Sequence, residues 1–151
     1  LGKNLAQAEN FFIYPHAAEI LQRFSQDQGM ELALLTGNLE QGARLKLEHA
    51  GLWPYFQWGV FGEVSEDRSD LARNALDTVI EKDGRLDPRR IVIIGATVGD
   101  IRCGQAIGAT TIAYSAGFQP PEKLKPENPD HMTDDLGDVP AIIAQLRKDL
   151  G

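Results

Sequence analysis

Cysteine is almost absent from this chain. Cys103 stands alone among 151 residues, so no disulfide forms within it, and a reducing compartment, the cytoplasm, is the expected setting. A lone thiol on an expected helix, with no histidine near it in sequence, reads as buried and inert rather than nucleophilic. Basic residues are also in short supply. Fifteen Lys and Arg face 22 Asp and Glu, a net charge of −7, which argues against a nucleic-acid-binding surface. The three histidines, His16, His49 and His131, lack the spacing of a metal site. No apolar run reaches membrane length and no leader pattern is read, so no membrane partner is expected. Repeats and low-complexity tracts are missing too. Gly95, Gly99 and Gly104 do not have the spacing of a dinucleotide fingerprint or a P-loop. A receiver domain needs an acidic cluster near its start, and residues 1–35 offer none.

What is present centres on residues 90–114, RIVIIGATVGDIRCGQAIGATTIAY. The β-branched run at 91–94 reads as a strand buried on both faces, stopped by Gly95. Asp100 is expected in a short loop. Residues 101–107 carry apolar side chains at helical spacing, Gly108 ends that helix, and 110–114 read as a strand. Strand, loop, helix and strand in that order form the repeating unit of a parallel sheet covered by helices. Ligands of open α/β sheets bind beyond the carboxyl ends of the strands, which directs attention to residues 95–100. The 42% hydrophobic and 25% charged composition suits one globular domain.

The rest of the chain repeats the pattern. Pro15 opens a helix with Ala17, Ala18, Ile20, Leu21 and Phe24 on its apolar face. A strand at 32–35 ends at Thr36-Gly37-Asn38, and a helix follows over about 40–49. Trp53, Pro54, Tyr55 and Phe56 form an aromatic turn into a strand near 58–61. Ser69 is the expected cap of the next helix, whose inward residues are Leu71, Ala72, Ala75, Leu76, Val79 and Ile80. A short last strand is expected at 131–135, and a terminal helix from Pro140 to Leu150.

Taken together, LALLTGN at 32–38, FGEVSEDRSDLA at 61–72 and IVIIGATVGDIRCGQAIGA at 91–109 resemble the haloacid dehalogenase (HAD) superfamily of hydrolases, in particular its phosphoglycolate-phosphatase-like branch. SAGF at 115–118 and DDLGDVPAII at 134–143 extend the resemblance. It implies a three-layer, Rossmann-like α/β core with a mainly parallel sheet. It also implies a phosphatase of small phosphate monoesters that uses Mg2+, in which an Asp attacks phosphorus. Thr36 matches the family's phosphate-binding hydroxyl, with Gly37 and Asn38 offering backbone N–H groups to the same anion. The family's Lys has no clean match; Arg68 is the first substitute for charge support and Lys46 the second. Asp100 matches the second acid of the family's GDxxxD metal motif. Ala96 stands where the first acid belongs, so Mg2+ binding is expected to be weakened or absent.

The family's DxD motif, which carries the nucleophile on the first strand, has no match here. Residues 1–13 are therefore expected to be a remnant of a cap or linker, and 14–151 an incomplete HAD-like core without its first strand. In the family that strand lies between those ending at Thr36 and Gly95. Leaving its place open is expected to be unaffordable: an unpaired buried backbone group costs roughly 1–3 kcal/mol, and several would rival a domain's stability of roughly 5–15 kcal/mol. Three remedies are open: an N-terminal part preceding this sequence, which is the one expected, direct closure of residues 32–35 on 91–94, or a complementing segment or second copy in the slot. The chain itself is expected to be inactive. The alternative is a non-catalytic binding or structural relative of the same fold.

Overall fold

The computed structural model describes residues 14–151, so the expected remnant at 1–13 lies outside the described residues. The elements in order are α1 (Ala17–Ser25), β1 (Ala33–Leu35), α2 (Glu40–His49), β2 (Trp58–Val60), α3 (Arg68–Asp83), β3 (Val92–Gly95), α4 (Val98–Ala106), β4 (Thr110–Tyr114), the single turn α5 (Pro121–Leu124), β5 (His131–Thr133) and α6 (Val139–Leu150). All strand pairs are parallel. β1 pairs with β2, and β3, β4 and β5 form a second sheet in that order.

Helices cover both faces, giving the three-layer, Rossmann-like α/β arrangement. β4 is the centre of the larger sheet, and its five residues, TTIAY, are all buried. Its side chains alternate between faces, as the two-residue period of a strand requires. Ile112 and Tyr114 join Phe24 of α1 and Val139 and Ile143 of α6. Ala113 packs with Ile101 of α4 and Leu124 of α5. α4 stops in a Schellman arrangement: Gly108 takes φ +73°, its N–H reaches Gln105 O at 3.2 Å, and Ala109 N–H reaches Gly104 O at 3.0 Å.

β1 and β3 belong to different sheets but share cores. Leu32 and Val92 pack on the cluster of α1, β4 and α6, while Leu35 and Ile93 pack on that of Ala72, Cys103, Ile107 and Ala109. The arrangement matches a sheet lacking one strand, and the direct closure of residues 32–35 on 91–94 does not occur. One expectation changes here. β3 is not buried on both faces, since Ile94 is 42% exposed.

Three local expectations also shift. Asp67, not Ser69, caps α3, its Oδ1 accepting from Ser69 N–H at 2.8 Å. Ile80, expected inward, is exposed. Asp100 belongs to the first turn of α4 instead of a loop. No helix among the described residues is long and apolar enough to cross a membrane.

Candidate functional site

Four loops gather at the carboxyl ends of β1 to β4. Past β1, Thr36 N–H donates to Val60 O at 3.1 Å, extending the ladder by one step. Thr36 Oγ1 then accepts from Asn38 N–H at 3.1 Å, which leaves the hydroxyl hydrogen for an outside acceptor. Gly37 N–H has no partner among the described residues. The loop after β2 is fastened to this turn: Gly62 N–H donates to Asn38 O at 2.8 Å, and Glu63 Oε1 accepts from Glu40 N–H at 2.9 Å. Gly62 must be glycine, since a Cβ there would run into Gly37 O.

Further along, Ser65 Oγ takes Asp67 N–H and donates to Asp70 Oδ2, both at 3.0 Å, which sets the start of α3 and places Arg68 as its first residue. The buried Cys103 thiol donates to the Arg68 carbonyl at 3.4 Å. Burial pushes that thiol up to about 11, so it is held as the neutral donor.

Beyond β3, Thr97 caps α4 and Asp100 completes a reciprocal capping box. Asp100 Oδ2 accepts from Ala96 N–H at 3.1 Å, Thr97 N–H at 3.1 Å and Thr97 Oγ1 at 2.9 Å. Its Oδ1 accepts from Arg68 Nη1 at 2.7 Å, and the same nitrogen reaches Thr97 Oγ1 at 3.2 Å. Two glycines make room for this cluster. A Cβ on Gly95 would collide with the Asp100 carboxylate, and one on Gly99 would lie 3.3 Å from Arg68 Nη1.

The loop after β4 closes the far side. Gln119 Oε1 accepts from Val98 N–H at 2.7 Å. Gly117 lies against the Tyr14 hydroxyl and the Ala96 methyl, where a Cβ would sit 2.8 and 3.1 Å from them. The Tyr14 ring packs on Tyr114 at 4.8 Å, and burial raises its phenol pKa above the ordinary value. Leu39, Val64 and Phe118, one on each of three loops, are exposed apolar side chains.

Arg68 and Asp100, far apart in sequence, are thus brought into direct contact, and Thr36, Gly37 and Asn38 form one turn. No hydrogen bond among the described residues joins the two groups. Lys46 sits in the last turn of α2, at the opposite end of that helix from the Thr36 turn. The residue missed from sequence is Thr97, whose hydroxyl links Arg68 to Asp100. Its signal was the Thr-x-x-Asp spacing of a capping box before an apolar stretch.

The residues present do not fit Mg2+. The ion demands several oxygen ligands in near-octahedral order. Ala96 offers a methyl group, both Asp100 oxygens are committed, and a guanidinium lies 2.7 Å from Oδ1. No group of three or more His, Cys, Asp or Glu among the described residues is arranged to hold a metal.

Comparison with known proteins bears on the family and the fold. Residues 68–139 match the HAD-hydrolase-like family model. A phosphoglycolate phosphatase of Agrobacterium fabrum is 32% identical over 134 residues, 88% of this chain and 56% of that protein. One of Aliivibrio fischeri is 27% identical over 135 residues, 89% of this chain and 58% of the relative. The chain belongs to the HAD-like superfamily. It spans little more than half the length of these two relatives. Among solved structures, a putative phosphatase from Clostridium difficile superposes with a TM-score of 0.77 at 19% identity, over 87% of this chain and 60% of that one. That likeness establishes the Rossmann-like α/β fold of the described core.

Proposed function

We propose that this chain is the HAD-type core of a phosphatase of small phosphate monoesters, and that the chain as it stands binds such a group without hydrolysing it. The observation that carries the reading is the Thr36 turn, with an available hydroxyl hydrogen and a Gly37 N–H that has no partner among the described residues, at the carboxyl end of β1. Both donate to a phosphoryl oxygen without adding charge. Arg68 supplies positive charge, and Asp100 acts as its positioning residue. The names of the relatives support a phosphorylated small acid as the substrate class. Hydrolysis by the HAD route uses a carboxylate to attack phosphorus, and among the described residues none of these loops offers one in that place. No step is assigned to Mg2+, for which the donor set is unsuited. The cytoplasm remains the proposed compartment, with no nucleic acid or membrane among the partners. A complementing segment or second copy would pair with the open edges of β1 and β3.

A second reading, a non-catalytic HAD relative, is favoured by the closure of Arg68 on Asp100 beside Ala96. The two readings separate on the encoding gene, where a DxD motif upstream of this sequence is expected only under the first. For the 151-residue chain, incubation with p-nitrophenyl phosphate is expected to release no nitrophenol above the buffer blank, with or without Mg2+. Turnover that survives repurification would overturn the reading. Inorganic phosphate is expected to perturb the amide resonances of Gly37 and Asn38.

A further inference from the structure

We propose that Arg68 takes the role of the resident cation of this loop cluster, making it an oxyanion site that works without a divalent metal. The inference rests on the phosphate-binding reading and adds to it that the guanidinium serves in place of a divalent metal.

The guanidinium has five N–H donors. Both hydrogens of Nη1 are committed, one to Asp100 Oδ1 and one to Thr97 Oγ1. Nε and Nη2 have no partner among the described residues, and the side chain is half-exposed. That remaining edge is the one that grips a carboxylate or phosphate with two parallel hydrogen bonds.

The edge is also fixed in place, which lowers the entropy lost on binding. Asp100 is itself immobilised by three donors on Oδ2, so it holds the guanidinium from a rigid base. Behind Arg68, its carbonyl is held by the Cys103 thiol, and Asp67 caps the helix at the same point. Gly99 leaves clear the space that a Cβ would crowd. The same contacts close the cluster to a metal. A divalent ion would have to expel the guanidinium from Oδ1 and would still find a methyl group at Ala96.

The test is a 15N NMR titration of the 151-residue chain with inorganic phosphate in EDTA, repeated with Mg2+ at matched ionic strength. Saturable shifts of the Arg68 Nε–H and the Thr97 amide in EDTA are expected, with a Kd that Mg2+ changes by less than twofold. Arg68→Lys, which keeps the charge but loses the two-pronged edge, is expected to weaken binding at least tenfold while its remaining spectrum reports an intact fold. Arg68→Met should abolish the shifts. Mn2+ is expected to broaden no discrete set of amides at 96–100. Tenfold tighter phosphate binding with Mg2+, localised Mn2+ broadening there, or unchanged affinity in Arg68→Lys would overturn the proposal. Shifts confined to residues 36–38 would sink the Arg68 assignment while leaving the phosphate reading intact. No saturable shift anywhere would sink both.

Discussion

Gly104 gives the sharpest test of how the centre of the fold is packed. It lies in α4, facing β4, and a Cβ there would fall deep inside contact distance of Thr111 Cγ2, with Ile93 Cβ and Cδ1 at 3.5 and 3.6 Å. Intrinsic propensity alone predicts that Gly104→Ala stabilises the helix by about 1 kcal/mol. Overpacking a close-packed interior costs about 1–3 kcal/mol, and here the upper part of that range applies because Thr111 cannot yield. It is β-branched and 1% exposed. Its Oγ1 accepts from Asp130 N–H at 3.0 Å, and its N–H donates to Asp130 Oδ2 at 2.8 Å. The net expectation is a destabilisation of about 1–2 kcal/mol, or a Tm lower by about 2–8 °C for a domain of this size. Thr111→Ser deletes the offending methyl and keeps the hydroxyl on Asp130. The double variant should therefore be more stable than the sum of the singles by about 1 kcal/mol. Thermal and urea melts followed by circular dichroism measure all four proteins. A Gly104→Ala protein as stable as the wild type, or a loss that Thr111→Ser does not relieve, refutes the packing argument.

Two further outcomes are expected. Burial holds the Cys103 thiol at about 11 against an ordinary 9.0, so the folded state keeps this proton longer than the unfolded one. Its contribution is intact below pH 9 and is lost as pH rises from about 9 to about 11; urea melts should show that decline, and Cys103→Ala should flatten it. Glu31 Oε1 accepts from Trp58 Nε1 at 2.7 Å and Lys82 Nζ at 2.6 Å, tying the entry to β1 to β2 and to the end of α3. Glu31→Ala should cost about 1 kcal/mol at pH 7. The Lys82 contact lowers the Glu31 pKa from 4.5, so its contribution exists above that value and fades as pH falls through the lowered one. Wild type and variant melts should converge in acid; a constant difference would refute the assignment.

The elements readable from sequence are those decided locally. TTIAY at 110–114 is β-branched and aromatic, Gly108 supplies the positive φ that ends α4, and both stand where expected. Caps were harder because Asp67 and Ser69 are both good caps. The choice was settled by Ser65 Oγ holding Asp67 N–H, a contact outside any helix pattern. Burial of β3 failed for a different reason: an apolar run states what a strand tolerates, and its neighbours decide what it receives. At the site, residue types announced Thr36 and Asp100, but nothing local announced that Arg68 would close on Asp100. That contact depends on α3 and α4 packing side by side, which follows from small residues, Ala72 and Cys103, at their meeting point.

The divided sheet shows where this domain keeps its cohesion. Between β1 and β3 no backbone hydrogen bond runs, so whatever holds the two sheets in one body acts through side chains. Leu35 and Ile93 meet the same cluster on one face, and Leu32 and Val92 the same cluster on the other. Apolar burial is non-directional and scales with area, so two strands share a core across a gap as readily as across a ladder. Hydrogen bonding makes the opposite demand, since an edge is inexpensive only while water can reach it. Side chains of both strands meet the same clusters on either side of the gap, so the two sheets cohere without a backbone hydrogen bond between them. A phosphate-binding turn at the end of β1 and an Arg68–Asp100 pair beside the end of β3 can therefore keep their separate geometries, each fixed by contacts that do not cross the gap.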